Sequence, residues 1–203
     1  MVQRRPGSHR RIGVDGKTLR GSACDGQPGR HLLAALDHTH GVVLGQVDVQ
    51  AKTNEIPLFL TLLDRIELTD AIVTADAIHA QRAHADYLVV QRRAHYVLTV
   101  KRNQPHLHDQ MKALPWRQLP IGLDARERGH GRDEWRTVKV TAVAAGLDFP
   151  HAAQAIRASH EAMTGTSMGA LTTALAGRCL ESSCLSQSTQ ICCGAGLLVL
   201  GLK

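Results

Sequence analysis

The chain has 203 residues, of which 43% are hydrophobic, 21% charged and only 3% aromatic. This excludes a disordered chain and a large multidomain assembly, and leaves any core to Ala, Val, Leu and Ile. Twenty-four Lys and Arg against eighteen Asp and Glu give a formal charge of +6, which permits a polyanionic partner.

The basic stretch Arg4 to Arg11 has no apolar run behind it before Asp15, so it does not read as a secretory signal. Residues 11–20 alternate like a strand, with a bend at Gly16 directly after Asp15. A Gly-rich loop follows over 21–29. Two more strands are predicted at 31–37 and 42–49, joined by a turn around 38–41. The period then changes. Ile56, Leu58, Phe59, Leu62, Leu63 and Ile66 follow helical spacing after Glu55, with Thr53 or Asn54 as N-cap. Residues 71–76 read as a buried strand, 80–93 as a helix, 95–101 as a strand and 104–114 as a helix stopped by Pro115. Residues 126–143 read as extended again, with a turn at 129–131. The order βββ-α-β-α-β-α predicts an α/β fold: an RNase H-like mixed five-stranded sheet flanked by helices on both faces, followed by additional β structure.

Composition breaks near residue 158. The last 45 residues hold two basic and two acidic residues, eleven Ser or Thr, and four of the five cysteines. We therefore expect a basic N-terminal remnant at 1–10, a main domain at 11–157, and a low-information, poorly ordered tail at 158–203 that packs loosely, as a frameshifted end would. The alternative is a short apolar subdomain. Cys179, Cys184, Cys192 and Cys193 lack zinc-ligand spacing and give no reason for disulfides, so the chain reads as reduced and cytoplasmic. Its longest apolar run, 191–202, is too short for a membrane span, which needs ~20 residues.

Asp15 lies near the end of the first strand and Asp76 closes the fourth. The RNase H-like order makes those strands neighbours. The two carboxylates could then hold Mg²⁺ through hard oxygen ligands, and two such ions would activate a hydroxyl and stabilise the departing oxygen of a phosphodiester. The plainer alternative is a pair of unrelated aspartates, one turning the chain through Gly16 and the other capping the next helix.

Six blocks carry a family resemblance: Val14-Asp-Gly-Lys-Thr-Leu-Arg-Gly-Ser22, His31-Leu-Leu-Ala-Ala-Leu36, Lys52-Thr-Asn-Glu-Ile-Pro57, Thr74-Ala-Asp-Ala77 with His79 and Gln81, Tyr96-Val-Leu-Thr-Val-Lys101 with Asn103 and Gln104, and Gly129-His-Gly-Arg132 with Glu134 and Arg136. In this order they resemble the ISAs family of bacterial insertion-sequence transposases over roughly residues 11–157. The resemblance implies a DDE transposase with an RNase H-like catalytic domain, using Mg²⁺ or Mn²⁺ to cleave DNA and transfer strands. It implies that Asp15 and Asp76 are the first two catalytic, metal-binding acids. It further implies DNA as partner, both element ends and target, a homo-oligomer or mixing with intact transposase subunits, and a bacterial, nucleoid-associated location without a membrane.

Glu134 is the third acid that the blocks offer, 58 residues after Asp76. Its setting reads as a strand, whereas related transposases place the last acid on a helix beyond an inserted β-region, and Arg157 with Glu161 matches that signature only in spacing. Glu134 is a metal ligand, a DNA-facing residue, or a strand residue paired with Arg132 or Arg136. Lys17, Arg20, Lys101, Arg102, Arg132 and Arg136 are the candidate DNA-binding residues, as phosphate contacts supply most non-specific affinity. With no helix-borne third acid and with the family pattern cut at both ends, the reading is a transposase fragment of impaired activity. The alternatives are a DNA-binding remnant without catalysis and an RNase H-like nuclease outside transposition.

Overall fold

The computed structural model describes residues 9–24, 26, 28–50, 54–129, 132–143, 147–163, 170–177, 190–194 and 197–201. Three antiparallel strands open the fold: β1 (Arg11–Thr18), β2 (His31–Asp37) and β3 (Val42–Val49). Ile12 pairs with Asp37 and Thr18 with His31, and the β2–β3 register shifts by one residue at Leu44 of β3, since Ala35 faces Gly45 and Leu36 faces Val43. Helix α1 (Ile56–Leu63) leads to β4 (Ile72–Ala75). A 3₁₀ turn (Ala77–His79), α2 (Arg82–Asp86) and a π turn (Tyr87–Gln91) lead to β5 (His95–Val100), and α3 (Pro105–Ala113) follows. Both β4 and β5 run parallel to β1, and the order β3-β2-β1-β4-β5 is the RNase H-like one.

The central strands β4 and β5 are buried at every position, which explains their largely apolar character, broken only by Thr74, His95 and Thr99. Phe59, Leu62 and Leu63 form the inward stripe of α1, and Gly45 on β3 leaves room for Leu62. They join Ile12, Val14, Leu33, Val73, Leu88, Tyr96, Leu98, Leu107 and Met111 in the main core. The buried apolar residues of all three helices belong to this one cluster. The second cluster, with Ile72, Val97, Val138, Ile156, Ala158 and Ala174, is built from strands alone. The sequence reading put helices on both faces. Both β-α-β crossovers step the same way along the sheet, however, and right-handed crossovers in one direction share a face.

The additional β structure extends the same sheet. β6 (Leu123–Gly129), β7 (Arg132–Ala142), β8 (Ala152–Met163) and β9 (Ala170–Gly177) complete the order β3-β2-β1-β4-β5-β9-β8-β7-β6. β8 runs through the boundary expected at 157, and β9 lies between β5 and β8, pairing Val100 with Thr173 and Ile156 with Ala174. The segment read as a loosely packed tail thus supplies an interior strand. β10 (Gln190–Gly194) and β11 (Leu197–Gly201) form a separate hairpin. The rest of the expected tail lies outside the described residues.

Candidate active site

The last paired residues of β1 and β4 are Val14 and Ala75. Asp15 and Asp76 are each the next residue along, so two carboxylates emerge side by side at the same end of neighbouring parallel strands. Asp76 also caps the 3₁₀ turn, accepting a hydrogen bond from the Ala77 N–H. The capping role and the site position are therefore compatible. Lys101, just past the end of β5, donates to Asp76 Oδ1 at 3.2 Å. The turn that carries Lys101 and Arg102 is clasped to the 3₁₀ turn: Asn103 donates to the Ala77 carbonyl at 2.7 Å and Gln104 to the Ala80 carbonyl at 3.1 Å.

A third carboxylate stands at this edge. Partial burial raises the pKa of Asp15, and the negative charges of Glu55 and then Asp76 raise it further, against the Gly16 backbone N–H and Lys17. Glu55 sits where α1 begins, next to the backbone of Gly16, where any Cβ would collide with its carboxylate. Both of its oxygens are held. His31 Nε2 is 2.5 Å from Oε1, with His31 Nδ1 2.9 Å from Thr18 Oγ1, and His79 Nε2 is 3.2 Å from Oε2. His79 is buried, and its ring stacks on Phe59 with centroids 4.7 Å apart. Burial lowers the pKa of His79 in spite of Glu55 and Asp76, which favour its charged form.

The sequence reading did not single out Glu55 as a site residue. The Lys52–Pro57 block put it at a helix start, but its two histidines each lie 24 residues away, on different elements. His79 bonds to Glu55 and packs on Phe59 beneath α1.

The remaining candidates divide by location. Lys17 on β1, Arg20 in the turn beyond it, Lys101 and Arg102 are exposed at the carboxylate end of the sheet. Arg132, Glu134 and Arg136 lie on β7, with Glu134 paired to Glu127 on one side and Ala162 on the other. Asp76 follows Ala75, whose row runs through Leu98, Leu175 and Ala155 to Thr141. Glu134 is thus four strands across from β4 and six residues beyond the level of Asp76. At ~4.8 Å per strand and ~3.3 Å per residue this is roughly 19 Å across and about 20 Å along. The register does not bring Glu134 to the aspartate pair, because the β-hairpin that carries it grows outward from the far edge of the sheet. Glu134 as a ligand beside Asp15 and Asp76 is corrected on this ground.

Among the described residues, no three His, Cys, Asp or Glu side chains enclose a metal position. The aspartate pair nonetheless fits a hard divalent ion in donor chemistry: adjacent carboxylate oxygens, one partly desolvated, under mutual repulsion that a cation relieves. No described helix is long and apolar enough to cross a membrane.

Residues 6–163 match the family model of the transposase DDE domain. The protein named "Putative transposase YncI" of Escherichia coli strain K12 is 35% identical over 136 residues, which cover 62% of this chain and 53% of that protein. Its namesake from E. coli O157:H7 is also 35% identical, with 34% of its length covered. An uncharacterized protein in the dhlA 3′ region of Xanthobacter autotrophicus is 35% identical over 147 residues, 66% of this chain and 49% of that protein. The chain spans about a third to a half of the length of these curated relatives. Among solved structures, the piggyBac transposase synaptic complex with hairpin DNA aligns over 82% of this chain and 32% of that one, with 12% identity and a TM-score of 0.43.

Proposed function

We propose a function from one premise: the chain belongs to the family of transposases built on the DDE domain. Proteins of this family use divalent metal ions. In this chain, Asp15 and Asp76 hold Mg²⁺ or Mn²⁺, and the reaction is cleavage and strand transfer of DNA. The observation that carries the reading is the emergence of both aspartates, one step past the Val14–Ala75 pair, at one end of β1 and β4. When bound, the ions supply Lewis-acid stabilisation of the phosphoryl oxygens and lower the pKa of an attacking hydroxyl.

The protein's own groups do the rest. Lys101 balances the charge of Asp76 and keeps half its side chain in solvent, within reach of a phosphate. Lys17, Arg20 and Arg102 extend positive charge along the same edge, and Arg132 and Arg136 continue it onto the β6–β7 hairpin, so that the DNA backbone is gripped on both sides of the carboxylates. The test is a nicking and strand-joining assay with Mn²⁺ on DNA carrying the parent element's ends. Asp15→Ala and Asp76→Ala abolish product and leave salt-sensitive DNA binding in place, as loss of one member of a concerted set costs orders of magnitude in rate.

A second reading, DNA binding without cleavage, is favoured by the position of Glu134 far from the pair. The same assay separates the two. Binding with no product from the unaltered chain selects the second.

A further inference from the structure

We propose that Lys101 is an exchanging cation: it neutralises Asp76 while no divalent ion is bound and passes to a DNA phosphate when one is, so that metal and DNA each strengthen the binding of the other. The proposal rests on the reading of Asp15 and Asp76 as the metal-binding pair.

Three observations carry it. First, Lys101 stands on the same side of the sheet as the aspartates. Val14, Ala75 and Val100 belong to the core that contains the helices. Side chains alternate between faces along a strand, so the next residue after each of them, Asp15, Asp76 and Lys101, belongs to the opposite face. Second, the ammonium already holds a cation's position. Its Nζ lies 3.2 Å from Asp76 Oδ1, the oxygen that also accepts the Ala77 N–H. Third, the pair sits on one frame. The Asn103 side chain donates to the Ala77 carbonyl at 2.7 Å and the Gln104 side chain to the Ala80 carbonyl at 3.1 Å, while the Gln104 N–H donates to the Lys101 carbonyl at 3.1 Å. The backbone under Lys101 is thus pinned to the turn under Asp76, and exchange is left to the lysine side chain. Half of that side chain is exposed, and its flexible four-carbon stem re-aims the ammonium without backbone movement.

Electrostatics sets the direction. An ammonium and a divalent cation on one carboxylate repel each other, so Nζ leaves Asp76 when an ion binds there. The freed ammonium regains a partner at a phosphate, where most non-specific contacts to DNA are made. In the reverse order, a phosphate that draws Lys101 away leaves Asp76 with its full charge and makes it a better ligand. Linkage makes the coupling reciprocal: the factor by which DNA raises metal affinity is the factor by which metal raises DNA affinity.

The experiment measures binding by the full chain. Mn²⁺ is titrated at low and high salt and read by electron paramagnetic resonance of the free ion, and binding of a short DNA duplex of arbitrary sequence is read by fluorescence anisotropy in Mn²⁺ and in EDTA. The unaltered chain is compared with Lys101→Gln, Asp76→Asn and Asp15→Asn. Without DNA, Lys101→Gln should bind Mn²⁺ about three- to tenfold more tightly than the unaltered chain, a gain that fades at high salt. The same variant should lose duplex affinity in Mn²⁺ and keep it in EDTA, where the lysine is held by Asp76. Asp76→Asn releases the lysine. In EDTA it should therefore bind the duplex more tightly than Asp15→Asn, which removes the same charge and leaves the ion pair, and this comparison serves if Lys101→Gln fails to fold. Weak Mn²⁺ binding by Asp15→Asn, together with binding by Lys101→Gln no tighter than that of the unaltered chain, overturns the proposal and leaves the aspartate pair standing. An equal loss of duplex affinity by Lys101→Gln in Mn²⁺ and in EDTA does the same. Unaltered Mn²⁺ binding by Asp15→Asn, or none by the unaltered chain, overturns the aspartate reading and this proposal with it.

Discussion

The rings of Phe59, His84 and His79 form a triangle, with His84 4.3 Å and His79 4.7 Å from Phe59 and 5.6 Å from each other, centroid to centroid. His84 has a carbonyl oxygen at each nitrogen, Ile56 O at 3.1 Å and His79 O at 3.2 Å, and a neutral ring can donate to only one of them. Burial, and then the neighbouring His79, push its pKa down to about 4. The linkage sign follows. A histidine whose pKa is lower folded than unfolded costs nothing above the unfolded value, and destabilises as pH falls from there toward the folded one. Urea unfolding should therefore show stability lost between about pH 6.5 and pH 4, by up to ~3 kcal/mol from this group. In His84→Gln that pH dependence should be visibly flatter. Phe59→Ala removes the ring both histidines lean on, as well as a fully buried core residue, and should cost about 3–5 kcal/mol in the same measurement.

At the scale of elements, Asp37 shows how a turn is tied into the sheet. It ends β2 and is almost fully buried. Burial alone would raise its pKa, but His40 at 3.0 Å, Arg10 at 2.8 Å and the Thr39 N–H at 2.8 Å hold it well below the usual carboxylate range. The stability this provides is present above about pH 4 and disappears as the carboxyl is protonated below it. Asp37→Asn should cost about 2–4 kcal/mol at pH 7, since it strands Arg10 and the turn donors, and much less near pH 2. The melting temperatures at the two pH values check this.

Much of this level was legible in the sequence. The strands at 31–37 and 42–49 were read with their observed bounds, because alternation and the turn at His38–Gly41 fix them. The helix read over 80–93 breaks into α2 and a π turn, a change no side-chain period announces. β9 was missed because an interior strand of Ala, Leu and Thr has the composition of low-information sequence. Glu55 was not singled out for a different reason: its partners His31, on β2, and His79, on the turn after β4, are brought to it only by the fold. The Asp15–Asp76 adjacency was readable because strand order alone creates it.

For the whole molecule, β9 is the joint between two halves of one sheet. On one side stand β1 to β5 with the carboxylates; on the other, β8, β7 and β6 with Glu134 and the arginines. Removing residues 164–203 should therefore unpair β5 and β8 together, exposing Val97, Ile156 and their neighbours in the second cluster. Chemical denaturation should show a loss well above the ~0.5 kcal/mol of neutral surface changes. Removing residues 190–203 alone leaves the nine-stranded sheet intact and should cost far less.

The same arrangement sets a schedule for synthesis. Thr173 bonds to Val100 across 73 residues of chain, so as the polypeptide leaves the ribosome the edge of β5 has its lasting partner only after α3 and the whole β6–β8 meander have been made. Through that interval the nascent chain presents an apolar, fully buried-type strand with open hydrogen-bonding groups, the kind of edge that invites another chain to pair. Pulsed hydrogen exchange during refolding should find the β1, β2 and β4 amides protected early and those of β5 facing β9 protected last.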